Sequence, residues 1–158
     1  MADPATVHAS AVLVGPRAIL IRGPAGSGKS RLALALIQAA AGGTLPFARL
    51  VADDRVYLEA CHGRLLARPP DALAGLIEVR GLGIRRMAHE GVAVVGLVVD
   101  LAAADAERLP APPSRQVIID GIALARLAVA AGQNPLPVVT AALATLEPAS
   151  ETPDMAKP

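Results

Sequence analysis

Gly23-Pro24-Ala25-Gly26-Ser27-Gly28-Lys29-Ser30 is the stretch whose reading decides the fold of this chain. It fits the Walker A pattern, Gly-x4-Gly-Lys-Ser, and its flanks fit as well. Ala18 to Arg22 before it is a short β-rich run. Arg31 to Ala41 after it carries leucines at 32, 34 and 36, Ile37 and many alanines, which suits a helix ended by Gly42-Gly43. Glycines let backbone N–H groups converge on phosphate oxygens at a helix N-terminus. Lys29 would add a point charge for the β and γ phosphates, and the Ser30 hydroxyl could ligate Mg²⁺. A Gly-rich turn before a helix is the bland alternative. Lysine usage argues against it: of fifteen cationic residues thirteen are Arg, and the two lysines are Lys29 and Lys157. A chain that uses Arg almost everywhere has placed a Lys where the motif demands one.

Outward from this loop the chain reads as strands. His8 to Val14 pairs with Ala18 to Arg22 across Gly15-Pro16-Arg17, and Arg55 to Ala60 with Arg64 to Arg68 across His62-Gly63. Leu50-Val51-Ala52 is a short strand running into Asp53-Asp54. Asp71 is placed to cap a short helical turn after Pro69-Pro70. Leu76 to Ile84 (LIEVRGLGI) is a β-type run with Glu78 and Arg80 on one face and Ile77 and Val79 on the other. Val92 to Leu101 is the most apolar strand and the expected centre of the sheet. Val117 to Ile119 and Ile122 to Val129 suggest a further hairpin, although the second run also suits a helix. Asn134-Pro135 predicts a helix start before Pro137 to Leu146. The expectation is one α/β domain over residues 1–146 with a mixed, mainly β core, followed by a disordered tail at 147–158.

Composition excludes several functions. The chain has 158 residues and is 53% hydrophobic and 18% charged, which is globular rather than disordered. Phe47 and Tyr57 are the only aromatic residues and the formal net charge is +1, so neither base stacking nor a basic field supports nucleic-acid binding. Cys61 is alone, which rules out an internal disulfide and a thiolate metal cluster. No apolar run reaches the ~18 residues of a membrane helix. The first residues lack the charge and apolar run of a secretory signal. A cytoplasmic protein without nucleic-acid or membrane partners is expected.

Phosphoryl transfer needs a residue that positions or deprotonates the acceptor and further ligands for the metal. Asp53 and Asp54, at a strand end, are the candidates, against the plain reading of an Asp pair opening a turn. If both are desolvated they cannot both ionise cheaply, so Mg²⁺, Lys29 or a shared proton must offset them. A raised carboxylate pKa would suit a base acting on a serine hydroxyl. Glu78 and Arg80 could equally be a solvated ion pair, and His8 alone could be surface decoration.

Three blocks carry a specific resemblance: HASAVLVG followed by GPAGSGKS, then LVADD, then LIEVRGLGI. In order and spacing they resemble the catalytic domain of the HPr kinase/phosphorylase family, over residues 6 to 101 and more faintly beyond. The resemblance implies the short form found in some proteobacteria, without the family's larger amino-terminal domain. The resemblance implies a P-loop-containing mixed β-sheet core with flanking helices, similar to HPr kinase and PEP carboxykinase. It implies ATP and Mg²⁺ as cofactors, a serine of the phosphocarrier HPr as substrate, and a homo-oligomer, hexameric in the family.

Residue by residue, the resemblance implies that Gly23, Pro24, Ala25, Gly26, Ser27, Gly28, Lys29 and Ser30 bind ATP. Lys29 would be catalytic, Ser30 and Glu78 would hold Mg²⁺, and Asp54 would accept the serine proton with Asp53 in support. His8 matches the family's active-site His, although Ala9 stands where Gly usually follows. Arg108 matches its catalytic Arg. Two departures stand out. Arg31 replaces the usual acidic residue after the Walker Ser. Ala130-Ala131-Gly132-Gln133-Asn134 stands where the family has Arg-Pro-Gly-Arg-Asn, the stretch associated with dephosphorylation. Gln cannot replace a bidentate Arg on a phosphate, so phosphorolysis is predicted to be impaired. A small-molecule P-loop kinase is a second reading, but Arg85-Arg86 is the only Arg pair a lid could use. A nucleotide-sensing module without turnover is a third.

Overall fold

The computed structural model describes residues 5–145, so the tail expected at 147–158, and Leu146, lie outside the described residues. β1 (Thr6–Val14) and β2 (Arg17–Arg22) form an antiparallel hairpin that leads into the glycine loop and α1 (Lys29–Ala41). β3 (Ala48–Ala52), β4 (Arg55–Cys61) and β5 (Arg64–Arg68) follow, then a 3-10 turn at Asp71–Leu73. β6 (Leu76–Val79), β7 (Gly83–Arg86) and β8 (Ala93–Leu101) come next. A second 3-10 turn (Pro112–Arg115), β9 (Gln116–Ile119), β10 (Ile122–Val129) and α2 (Pro135–Ala144) complete the described chain.

Eight strands make one mixed sheet, with β8 at its centre as its apolar sequence predicts. β8 pairs with β2 and β10 in parallel and with β5 antiparallel. The pairings β1–β2, β2–β8, β8–β5, β5–β4 and β4–β1 close into a circuit, so half of the sheet curls on itself. The alternation of side chains along each strand then defines two cores. Ile19 and Ile21 of β2 face Leu32 and Leu36 of α1, with Val12, Leu50, Val99 and, from α2, Val139. Ala18 and Leu20 face the inside of the curl, with Val56, Leu65, Val95 and Val98. Both helices therefore lie on one face of the sheet, and strands alone close the other.

Two irregularities re-aim side chains. The β2–β8 register jumps from Ala18↔Val95 to Ile19↔Leu97, so Gly96 is an extra residue that moves the inward position from Val95 to Val98. A Cβ on Gly96 would stand 2.8 Å from the Arg17 Cβ, so only glycine lets the backbones come this close. The β1–β3 register likewise jumps from Val12↔Leu50 to Ala11↔Ala52, with Val51 extra. Leu50 faces α1, Val51 and Ala52 face the curl, and Asp53 returns to the α1 side.

Two sequence expectations are corrected. LIEVRGLGI is not one strand: it folds into the β6–β7 hairpin, a separate two-stranded sheet that turns at Arg80-Gly81-Leu82. Gly81 and Gly83, at φ 90° and 92°, serve that turn. Asp71 is the first residue of its 3-10 turn, and Pro70 occupies the cap. Ile122 to Val129 is a strand paired with β9, so the hairpin reading holds over the helical alternative. The α2 start is as expected, with Asn134 Oδ1 accepting from the Leu136 N–H at 3.2 Å, but the helix spans Pro135–Ala144.

At the carboxyl ends of the parallel strands an ion cluster closes the second core. Arg22 donates to Asp100 through Nε at 2.7 Å and Nη2 at 2.9 Å. Arg126 donates to Asp100 at 2.6 Å and reaches Asp105 at 2.8 and 3.0 Å. Burial pushes the Asp100 carboxyl pKa up, but the two guanidinium groups outweigh it and hold the value below normal.

Candidate active site

The site is built where β1 changes partner. One edge of β1 pairs with β3 over Ala11 to Val14 and with β4 over Thr6 to His8. The chain passes from β3 to β4 through Asp53-Asp54 alone, so this pair lies beside Ala9 and Ser10, between the two ladders. The Arg55 N–H donates to the Asp53 carbonyl at 2.8 Å, and Asp54 takes a left-handed φ of 68°, which Asp tolerates better than most residues. The two carboxylates consequently diverge. Asp53 is 5% exposed, whereas the Asp54 side chain is 68% exposed. The condition under which the two acids would compete for ionisation is therefore not met: only Asp53 is buried.

Asp53 joins four segments. Oδ1 accepts from Ser10 Oγ at 2.7 Å; the Ser30 hydroxyl lies 2.7 and 2.9 Å from its two oxygens; Oδ2 accepts from the Glu78 N–H at 3.0 Å. β1, the start of α1, the β3–β4 turn and β6 are thus pinned to one buried carboxylate. Ser10 is fully buried and was missed by the sequence reading. Its signal was a hydroxyl inside an apolar strand, two residues from His8 and on the same face.

The glycine loop delivers Lys29 and Ser30 onto the first turn of α1. Gly28, the N-cap, has φ 101°, a conformation that costs glycine nothing. No side chain caps this helix and its first turn holds no acid, so the amides there face the cleft without an internal acceptor. Lys29 Nζ donates to the Gly23 and Pro24 carbonyls at 2.9 and 3.1 Å.

A cleft of about 740 Å³ brings most of the candidates together: His8, the loop from Gly23, Lys29, Ser30, Asp54 and Glu78 all line it. His8 Nδ1 is 3.6 Å from Asp54 Oδ1. Glu78, Val79 and Arg80 all line the cleft, Arg80 from the turn after β6, and Arg31 and Leu34 line it from α1. Arg108 is exposed in the loop between β8 and the second 3-10 turn and does not line the cleft. Ala130 to Gln133 line a separate hollow beside Pro24 to Ser27.

Among the described residues no three His, Cys, Asp or Glu side chains converge as a metal cage. The oxygen donors Ser30, Asp53 and Glu78 nevertheless fit Mg²⁺, which takes one or two carboxylates and completes its shell with water and substrate phosphates. No helix of the described residues is long and apolar enough to cross a membrane.

Comparison with known proteins shows the family and the fold. The HPr kinase/phosphorylase of Clostridium beijerinckii is 40% identical over 84 residues, covering 53% of this chain and 26% of the relative. That of Streptococcus thermophilus is 39% identical over 85 residues, covering 53% and 25%. The chain thus matches about a quarter of the length of these relatives. The structure of the HPr(Ser) kinase/phosphatase from Coxiella burnetii superposes with a TM-score of 0.71 at 26% identity, covering 89% of this chain and 94% of that one. The same mixed α/β fold is present in both. A family model described as the HPr serine kinase C-terminal domain matches residues 1–157, and the chain belongs to that family.

Proposed function

We propose that the chain is an ATP- and Mg²⁺-dependent protein-serine kinase whose acceptor is an HPr-type phosphocarrier protein, with weak phosphorolysis. The observation that carries this reading is the joining of Ser30, Asp53 and the Glu78 backbone by hydrogen bonds, with Lys29 and the exposed Asp54 in the same cleft.

In this reading the amides of Gly26 to Ser30 and the Lys29 ammonium hold the β and γ phosphates of ATP. Mg²⁺, when bound, neutralises charge developing on those phosphates, and Ser30, Asp53 and Glu78 are the residues that would hold it. The acceptor serine enters from the open side of the cleft and its hydroxyl donates to Asp54. The serine oxygen forms a bond to the γ phosphorus as the bond to the β-γ bridging oxygen breaks. Asp54 takes the serine proton, and ADP leaves. His8, beside Asp54, orients that carboxylate. Asp53 supports the site rather than taking the proton: it accepts from Ser10, Ser30 and the Glu78 N–H. Positioning and electrostatics carry the rate, as they do in phosphoryl transfer generally.

Two variants test the assignment. Lys29→Ala should lose nucleotide binding and transfer together. Asp54→Asn should keep nucleotide binding and lose transfer; transfer to HPr at the wild-type rate would overturn the role given to Asp54.

A further inference from the structure

The proposed transfer leaves two charges of the main cleft without a task. Lys29 serves the phosphates, Asp54 the acceptor hydroxyl and Glu78 the metal, and His8 stands beside Asp54. Arg31 and Arg80 line the same cleft and do none of this. Both are exposed, and neither side chain makes a hydrogen bond or an ion pair with a described residue. They come from elements that pack together: Arg31 lies on the first turn of α1, and Arg80 follows β6, which lies against that helix. Leu34, three residues after Arg31 and on the same side of α1, lines the cleft with it. Beyond Arg80 the β6–β7 hairpin leaves Leu82 67% and Ile84 63% exposed.

Two unpaired guanidinium groups on one open wall of a cleft call for an anion. Either the phosphates of the donor or a carboxylate of the acceptor would answer. The glycine loop already offers the donor Lys29 and the uncapped amides of α1. Large apolar side chains left in water beside the arginines mark a surface that meets another protein, and Arg is a preferred residue of such surfaces. We propose that Arg31 and Arg80 are specificity-determining residues that recognise an acidic side chain of the acceptor protein near its serine. Charge on this wall selects the acceptor and steers its approach, while Lys29 and Asp54 carry out the transfer. The proposal rests on the reading of the cleft as that of a protein-serine kinase and names the acceptor surface that it reads.

The test is steady-state phosphate transfer by the full chain, with KM measured separately for ATP and for HPr. Arg31→Gln and Arg80→Gln should each raise the KM for HPr about fivefold, and together about twentyfold, while the KM for ATP stays within about twofold. The two changes lie on different elements and both side chains are exposed, so each repeats the test if the other variant does not fold. Arg31→Lys keeps the charge and should hold the KM for HPr within about twofold of the wild type. Raising KCl from about 50 to about 300 mM should raise the KM for HPr more steeply in the wild type than in the double variant. An unchanged KM for HPr in both single variants, or an equal loss in Arg31→Lys and Arg31→Gln, overturns the proposal. A rise in the KM for ATP that matches the rise for HPr also overturns it, and places the arginines on the donor phosphates. Wild-type protein that labels no HPr overturns the kinase reading itself, and this proposal with it.

Discussion

Asp53→Ala is the perturbation whose cost can be worked most directly from the structure. The change strips the acceptor from Ser10 Oγ, Ser30 Oγ and the Glu78 N–H. A hydrogen bond to a charged group contributes about 1.5–3 kcal/mol, and a buried donor left unpaired costs about 1–3 kcal/mol. Ser10 is fully buried and has no water to turn to, whereas Ser30 and the Glu78 amide are only partly buried. Counting Ser10 in full and discounting the other two gives a loss of about 3–4 kcal/mol, and a melting temperature lower by roughly 10 °C for a domain of this size. Ser10→Ala keeps the Cβ and loses one bond, about 1.5 kcal/mol. Because the two changes share that bond, the double variant should cost about 1–2 kcal/mol less than the sum. The chain has no Trp, so urea unfolding should be followed by far-UV circular dichroism. An Asp53→Ala loss below about 0.5 kcal/mol, or strict additivity with Ser10→Ala, would refute the view that this carboxylate pins the site together.

The Asp100 carboxyl is held below its normal pKa by Arg22 and Arg126 against the effect of burial, so its contribution to stability is full above the ordinary carboxylate range and disappears as pH falls through the lowered value. Asp100→Asn should therefore lower the urea midpoint at pH 7, and the gap to the wild type should close as pH falls below the ordinary carboxylate range; a constant difference on acidification would contradict the ion cluster. Gly96→Ala places a Cβ 2.8 Å from the Arg17 Cβ at the β2–β8 bulge and should cost about 1–3 kcal/mol in thermal unfolding, while an unchanged melting temperature would show that the bulge relaxes freely. Phosphate-driven release from serine-phosphorylated HPr should be slower than the forward reaction, since the Ala130 to Asn134 stretch has no arginine; equal rates would remove that expectation.

Much of this site is written in the sequence because its parts obey local rules. The glycine loop before α1 fits a pattern eight residues long, and β1, β2 and α1 follow from patterns a few residues long. Legibility ends where long-range pairing decides. Nothing local says that β1 changes partners between β3 and β4, yet that switch sets Ser10 beside Asp53. The bulge at Val51 returns Asp53 to the α1 side, where it is buried, and the left-handed turn at Asp54 leaves that side chain exposed, so two adjacent acids meet different environments. LIEVRGLGI misled for the same reason: its alternation is real, but a turn at Arg80 to Leu82 divides it between two strands. Both helices lie on one face because the sheet curls on its other face, which no strand reveals alone.

Transfer of radiolabelled γ-phosphate from ATP to purified HPr tests the central claim most directly. Wild-type protein with Mg²⁺ should label one serine of HPr, replacing that serine by Ala should abolish the label, and Asp54→Asn should bind ATP without transferring it. Nucleotide binding by the wild type with no label on HPr would contradict the account.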